Sequence, residues 1–431
     1  MAKISLTNTY QKYPKYKNSG VEWVGQVPES WDVATSRRLF STKKKLANET
    51  DSQKVLSLTL GGVIPRVLDG SGKNPANYDT YQEFQKDDLV FCLFDYDVTP
   101  RTIGYVGENG MMTGAYTRLI PKEETVSRFF YYYFLSLDYT KELLHLCTGL
   151  RNSISKPVFW SMKNPLPNKE EQEKIAKFLD EQTARIDKTI AKKQRLIELL
   201  KEKRTATINH AVTKGLDPKA ELVDSGVEWI GQTPKNWQIF SLKSFGEAII
   251  GLTYSPEDVG DETGTAVLRS SNIKNGHTVM EDVVYVQKSI PKKLVLREDD
   301  ILICSRNGSK KLIGKNAIIG SDLAGQTFGA FMTVYRSKHN QFVYWFLNSN
   351  IFLAQTELFV SSTINQLTIN ALKNLKIALP DEKTQKKISE YLTAKDAGFR
   401  EAINKVEKSI AQLQEFKSSL ISHAVTGKIK V

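Results

Sequence analysis

The chain states one frame twice. The string SGVEWVGQVPESW, Ser19 to Trp31, returns as SGVEWIGQTPKNW at Ser225 to Trp237, 206 positions on. A longer block, Leu166 to Thr213, aligns without a gap on Leu379 to Thr426, 213 positions on. The stretches between these blocks are far less alike. A repeated frame with varied filling predicts two equivalent modules of roughly 210 residues, each large enough to bury its own core. It points to two separate surfaces on one scaffold rather than to a single active site.

Lys169 to Ala211 is expected to form one long helix. Pro167 and Asn168 precede it, Glu170, Glu171 and Glu173 suit the positive end of its dipole, and no Pro or Gly follows until Gly215. Ile186, Ile190, Lys193, Ile197, Leu200, Arg204, Thr207 and Ala211 alternate in steps of four and three. That is a heptad seam with polar breaks at Lys193 and Arg204. The second copy places Phe399, Ile403, Val406, Ile410, Leu413, Lys417, Leu420 and Ala424 at the matching positions. One seam cannot bury itself, so the two are expected to bury each other. A pseudo-two-fold axis relating the halves sets the helices antiparallel, although the seam alone also permits a parallel pair. About 43 residues at 1.5 Å each span about 65 Å, a stiff rod with a module expected at either end. Lys193, Arg204 and Lys417 are expected to fix its register at some cost in stability.

The fold class predicted is α/β (α+β). Two mixed α/β domains occupy residues 1–165, including an N-terminal tail, and 216–378. Two spacer helices occupy 166–215 and 379–431. Within the domains, strands are expected at Leu89–Phe94, Thr102–Val106, Asp300–Cys304 and Leu312–Ile319, and helices at Ser127–Leu137 and Phe342–Leu353. The loops TGLRNSIS, from Thr148, and SSTINQLT, from Ser361, align at the same 213-residue offset. The first eighteen residues have no clear twin before Ser225. Trp23, Trp31, Trp229 and Trp237 occupy matched positions and are expected to anchor each module to the helices.

The net charge of +12 favours a polyanionic partner. Cys92, Cys147 and Cys304 are scattered and odd in number, which excludes a disulfide framework and a CxxC zinc site and suits a reducing cytoplasm. No apolar run approaches a membrane span. GSKKLIGK, Gly308 to Lys315, has one residue too many for a phosphate loop, and Asn316 stands where a magnesium ligand belongs. NPANY, Asn74 to Tyr78, reads as a turn. His210 and His423 are matched by the repeat and sit near helix ends without a catalytic constellation.

Basic and amide side chains cluster on Gly-punctuated loops of the variable stretches. In the first module these are Arg66, Arg101, Thr102, Arg151, Asn152 and Ser153. In the second they are Arg269, Ser270, Ser271, Asn272, Arg306, Asn307, Ser309, Lys310, Lys311, Lys315, Asn365 and Gln366. Arg pairs bidentately with guanine and Asn or Gln with adenine, while Lys and Ser more often hold phosphates. Any one of them taken alone reads better as a solvated loop residue. As a set, on two matched modules, they are expected to contact DNA.

The whole chain resembles the specificity subunits of type I restriction–modification systems. The carriers are GVEWVGQVPESW with its twin GVEWIGQTPKNW, the LP-led start of each long helix, HAVTKG and HAVTGK at the helix ends, and the phrases LRSSNIKNG and DDILICSRNGSKKLIGK. The resemblance implies two target recognition domains joined by antiparallel helical spacers, each reading half of a split, asymmetric double-stranded DNA site. It implies no chemistry and no bound cofactor in this chain. Two modification (methyltransferase) subunits using S-adenosylmethionine, and restriction subunits using ATP and Mg, are the partners it implies, in a bacterial or archaeal cytoplasm. Two other readings compete. An enzyme carrying its own site would need an NPPY motif with a cofactor loop, or a PD…(D/E)xK cluster, and neither is found. A coiled-coil adaptor without a DNA role would not need divergent, basic fillings.

Overall fold

The computed structural model describes residues 10–47, 54–66, 78–357 and 365–431. The chain forms two compact units, residues 1–193 with 408–431, and residues 194–407. The long helices Lys169–Lys214 and Glu382–Val425 are each shared between the units.

The first unit is built round a four-stranded antiparallel sheet in the order Phe40–Ser41, Thr117–Pro121, Leu89–Phe91, Ile103–Tyr105. Its central strand is apolar on both faces, because both are covered. Leu89 and Phe91 face a large core with Trp31, Phe130, Phe134 and Phe159, while Val90 faces a smaller one with Leu56, Phe84 and Met112. The aromatic helix Ser127–Thr140 supplies much of the larger core. Ile175, Leu179, Ile186 and Ile190 of the first long helix join it, together with Leu420, Ile421, Ala424 and Val425 of the second.

The second unit repeats the plan. Glu247–Ile250, Met332–Arg336, Ile301–Cys304 and Asn316–Ile318 form the equivalent sheet. Ile301 and Ile303 face the core that holds Ile208, Ala211, Val212, Ile388 and Leu392 of the long helices; Leu302 and Cys304 face a second core with Phe328 and Val334. A further four-stranded sheet runs Val259–Gly260, Val284–Val286, Thr265–Leu268, Thr327–Phe328, where the first unit has two antiparallel pairs, Leu56–Thr59 with Gly62–Pro65 and Tyr81–Phe84 with Gly110–Thr113, bridged at Val55 and Met111.

Matched polar groups hold the frame. Asn168 caps the first long helix by accepting from Glu171 N at 2.9 Å, and Asp381 caps the second by accepting from Thr384 N at 3.0 Å. One turn on, buried Gln172 donates to Pro167 O and accepts from Val126 N; buried Gln385 donates to Pro380 O and contacts His339. Asp88 pairs with Arg118 in the first sheet and Asp300 bidentately with Arg336 in the second.

Within each unit the two long helices run antiparallel. In the first, Lys417 Nζ holds both oxygens of Asp187 at 2.7 Å, and further along Lys430 N donates to Gln11 O, beside Tyr10, which packs on Phe178. In the second, Arg204 pairs with buried Asp396, while Tyr391 borders His210 and Thr384 borders Gly215. Two of the three polar seam positions are thus ion-paired to the opposite helix. Ile186, Ile190 and Leu420 are buried and Ile410 and Leu413 pack against them, but Ile197, Leu200, Phe399, Ile403 and Val406 remain half-exposed.

Several local expectations are corrected. The helix expected at Phe342–Leu353 is two helices, Asn340–Leu347 and Asn350–Glu357. Asn348 turns its amide onto Asn316 and Tyr344 O, and Ser349 Oγ accepts from Phe352 N to start the second. Of Leu312–Ile319 only Asn316–Ile318 is strand. The last three residues of the tail do have a twin: Tyr16–Asn18 pairs with Gln26–Pro28 as Leu222–Asp224 pairs with Gln232–Pro234. Trp31 and Trp237 are buried as expected, whereas Trp229 is 37% exposed. Asn74 to Asn77 and Ser361 to Ile364 lie outside the described residues.

Candidate nucleic-acid interface

The central strand of each sheet ends in a loop that is clamped by main-chain bonds to a second loop. In the first unit Ile154 N donates to Leu93 O at 2.8 Å and Asp95 N to Arg151 O at 2.7 Å. In the second Leu367 N donates to Ser305 O at 2.8 Å and Asn307 N to Asn365 O at 3.3 Å. Below each clamp a buried cysteine thiol contacts the loop, Cys92 at Phe94 O and Cys304 at Arg306 O. Burial pushes both thiols above their ordinary range, so they are packing groups rather than nucleophiles. The clamps are superposable in plan, yet the tips carry different side chains: Phe94 and Asp95 in one, Arg306 and Asn307 in the other.

In the second unit this clamp lines an open cleft of about 960 Å³. Arg269, Ser270, Ser271, Arg306, Asn307 and Asn365, all expected from sequence, converge there. Asn307 Nδ2 donates to Ser270 Oγ at 3.2 Å, Lys315 Nζ to Ser270 O at 3.2 Å, and Asn365 Nδ2 to Gly308 O at 3.0 Å. Gln366 pairs with Arg306 through the main chain. The Arg306 guanidinium lies 5.2 Å from the ring of Phe331, an exposed aromatic in the same cleft. Ser309, Lys310 and Lys311 are exposed on the adjoining turn. Asn272 is fully buried and holds Arg269 N, Val279 O and Glu281 O, so it shapes the loop from beneath. Arg269 extends to Asp282 O.

In the first unit the expected residues divide. Arg151 is exposed, paired with Asp95, and lies 4.9 Å from the Phe94 ring, which stacks on Tyr116. Asn152 and Ser153 complete this clamp. Arg101 and Thr102 sit elsewhere: both bind Asp138, which is buried and also holds Lys141, so they lock their loop to the aromatic helix. The burial of Thr102 removes it from any solvent-facing surface. Arg66 follows the hairpin Leu56–Thr59/Gly62–Pro65. Phe94 and Tyr116 at the first clamp, and Tyr254 and Phe331 in the cleft, were not among the expected residues, because an aromatic beside an apolar strand reads as core. Among the described residues no His/Cys/Asp/Glu cluster suits a metal, and no helix is long and apolar enough to cross a membrane.

The sequence profile of the type I restriction modification DNA specificity domain matches residues 30–200 and again 234–412. The chain belongs to this family. It carries two such domains, in agreement with the repeat. It is 25% identical over 340 residues to the type I restriction enzyme MjaVIII specificity subunit of Methanocaldococcus jannaschii, covering 76% of each chain. To the putative MjaX specificity subunit of the same organism it is 22% identical, covering 97% of this chain and 98% of that one. Its fold matches a chain from a solved type I restriction–modification assembly with a TM-score of 0.69 at 15% identity, covering 93% and 98%. It also matches the HsdS subunit of Thermoanaerobacter tengcongensis with a TM-score of 0.51 at 13% identity, covering 94% and 98%.

Proposed function

We propose that this type I specificity subunit reads a bipartite, asymmetric DNA site, one half with each clamped loop pair, and that it does so without catalysis. The observation that carries this is the doubled clamp: one main-chain geometry presenting Arg306 and Asn307 on one unit and Phe94, Asp95 and Arg151 on the other. A shared frame with unlike tips suits two readers of unlike sequence. Arg306 and Asn307 are the candidates for base edges, Lys310, Lys311 and Lys315 for phosphates. The antiparallel helices set the half-site distance and offer their outer faces to two modification subunits, with restriction subunits joining the complex. This chain binds no cofactor in this reading; S-adenosylmethionine, ATP and Mg belong to the partners, and the site of action is the cytoplasm.

Arg306→Ala tests the reading. Binding to a DNA library is expected to lose discrimination at one half-site by roughly 1–3 kcal/mol, with the other half-site unchanged. A uniform loss on every sequence reassigns Arg306 to the backbone, and no loss removes this loop from the interface.

A further inference from the structure

One corner of the frame occurs in both units, and only one copy is filled. In the first unit Trp31 packs at the end of the second long helix, where a side chain on Gly427 would strike Pro28 and approach Trp31. In the second unit Trp237 packs in the same way beside Gly215. Into the first corner the chain inserts two tyrosines three residues apart. Tyr13 lies edge-on to Trp31 at 5.9 Å and donates to Glu171 at 2.6 Å. Tyr10 lies edge-on to Phe178 at 5.7 Å. Fully buried Ile429 closes the corner.

By the 213-residue offset, the twins of Glu171, Lys174, Ile175 and Phe178 are Thr384, Lys387, Ile388 and Tyr391. In the second unit Ile388 is fully buried, as Ile175 is, but Thr384 and Lys387 border open space. An opening of about 850 Å³ is bounded by Trp237, Pro234, Leu216, Thr384, Lys387 and Ile388. It adjoins a smaller opening beneath Tyr391, which is 37% exposed where Phe178 is partly buried against Tyr10. The cause is chain length. The first corner receives both segments 10–16 and 427–431, whereas the second receives only the link 214–221.

We infer that this second corner is a docking site for an extended segment of a partner protein bearing two aromatic side chains three residues apart, flanked by carboxylates. The aromatic spacing follows from the tyrosines that fill the twin. The charge follows from the rim: Glu221 is paired with Lys235 and Asp217 accepts from Lys219 N, while Lys214 and Lys387 have no hydrogen-bond or ion-pair partner among the described residues, and the acidic twin position Glu171 is here Thr384, already bonded to Asp381. The inference does not depend on which DNA sequence is read.

The probe is a fluorescein-labelled heptapeptide with the sequence of residues 10–16 and both lysines replaced by glutamate, titrated into the full chain by fluorescence polarisation. Saturable binding of one peptide per chain is expected, weakened at least about tenfold by Ala220→Trp, which fills the opening, and by Lys387→Glu. Both positions lie at the surface, and circular dichroism and DNA binding report that each variant is folded. No saturation at millimolar peptide, equal binding to either variant, or tighter binding of the unaltered basic heptapeptide overturns the inference. So does self-association in sedimentation velocity that Ala220→Trp abolishes, since the occupant is then a second copy.

Discussion

Asp88 and Asp300 hold the two sheets by the same device. Each turns into the start of the central strand, accepts from the main chain three residues earlier, and is sealed by an arginine. At Asp88 burial outweighs Arg118, and the carboxyl titrates above its ordinary range. Removing the cation leaves that charge buried and alone, so Arg118→Ala is expected to cost about 3–5 kcal/mol, read as a lowered urea midpoint. His277 titrates the other way. Although the ring is largely exposed on its hairpin, its partial desolvation, and then the Arg400 guanidinium, push its imidazole below the usual value of about 6.5. The unfolded chain therefore takes the proton first. The stability contributed is fully present above about pH 6.5 and is lost as pH falls through the lowered folded value. His277→Gln is expected to flatten this acid limb in thermal melts between pH 5 and 7. At this scale the sequence singled out Arg306, Asn307 and Arg269 by residue type, and the fold brings them to one cleft. It could not separate Asn272, buried under its loop, from Ser271, exposed on it, because only the tertiary path of the following hairpin decides which side chain faces inward.

The long helices were the most legible elements, since heptad spacing, capping residues and acidic first turns agree on them. Asn168→Ala, which removes the side-chain acceptor for Glu171 N, is expected to lower stability by about 0.5–2 kcal/mol in chemical denaturation, and Asn168→Asp to restore it. What the pattern did not reveal is that the seam changes along its length. Ile186, Ile190 and Leu420 are covered by domain side chains as well as by the facing helix, while Ile197, Leu200, Ile403 and Val406 have less around them. Heptad spacing describes which face is shared, not how many neighbours cover it. The break between Asn340–Leu347 and Asn350–Glu357 was hidden for a related reason. Asn348 and Ser349 are unremarkable within a helical pattern until Asn316 is brought alongside.

For the whole molecule, the repeat predicted the duplicated plan, and the structure adds a circular logic to it. Trp31 rests at the end of the second long helix and Trp237 at the end of the first. Matched ion pairs even reverse sign across the repeat: Lys15 with Glu29 in one hairpin, Glu221 with Lys235 in the other. If the helices measure the distance between half-sites, adding one heptad to each changes that distance by about 10 Å, close to three base pairs. Inserting seven residues after Lys193 and after Glu407 is expected to shift the unread spacing by about that amount. Both half-site sequences should stay unchanged when methylated adenines are mapped in cells that also express the modification subunit.

The clamps that present Phe94 with Asp95, and Arg306 with Asn307, are made by amides and carbonyls. The side chains at the tips do not close the clamps, although Asn307 bonds Ser270 and Asp95 pairs with Arg151. If the tips read DNA as proposed, replacing Phe94 or Arg306 leaves the main-chain clamps in place, so a lineage can try new targets without first rebuilding the loops that carry them.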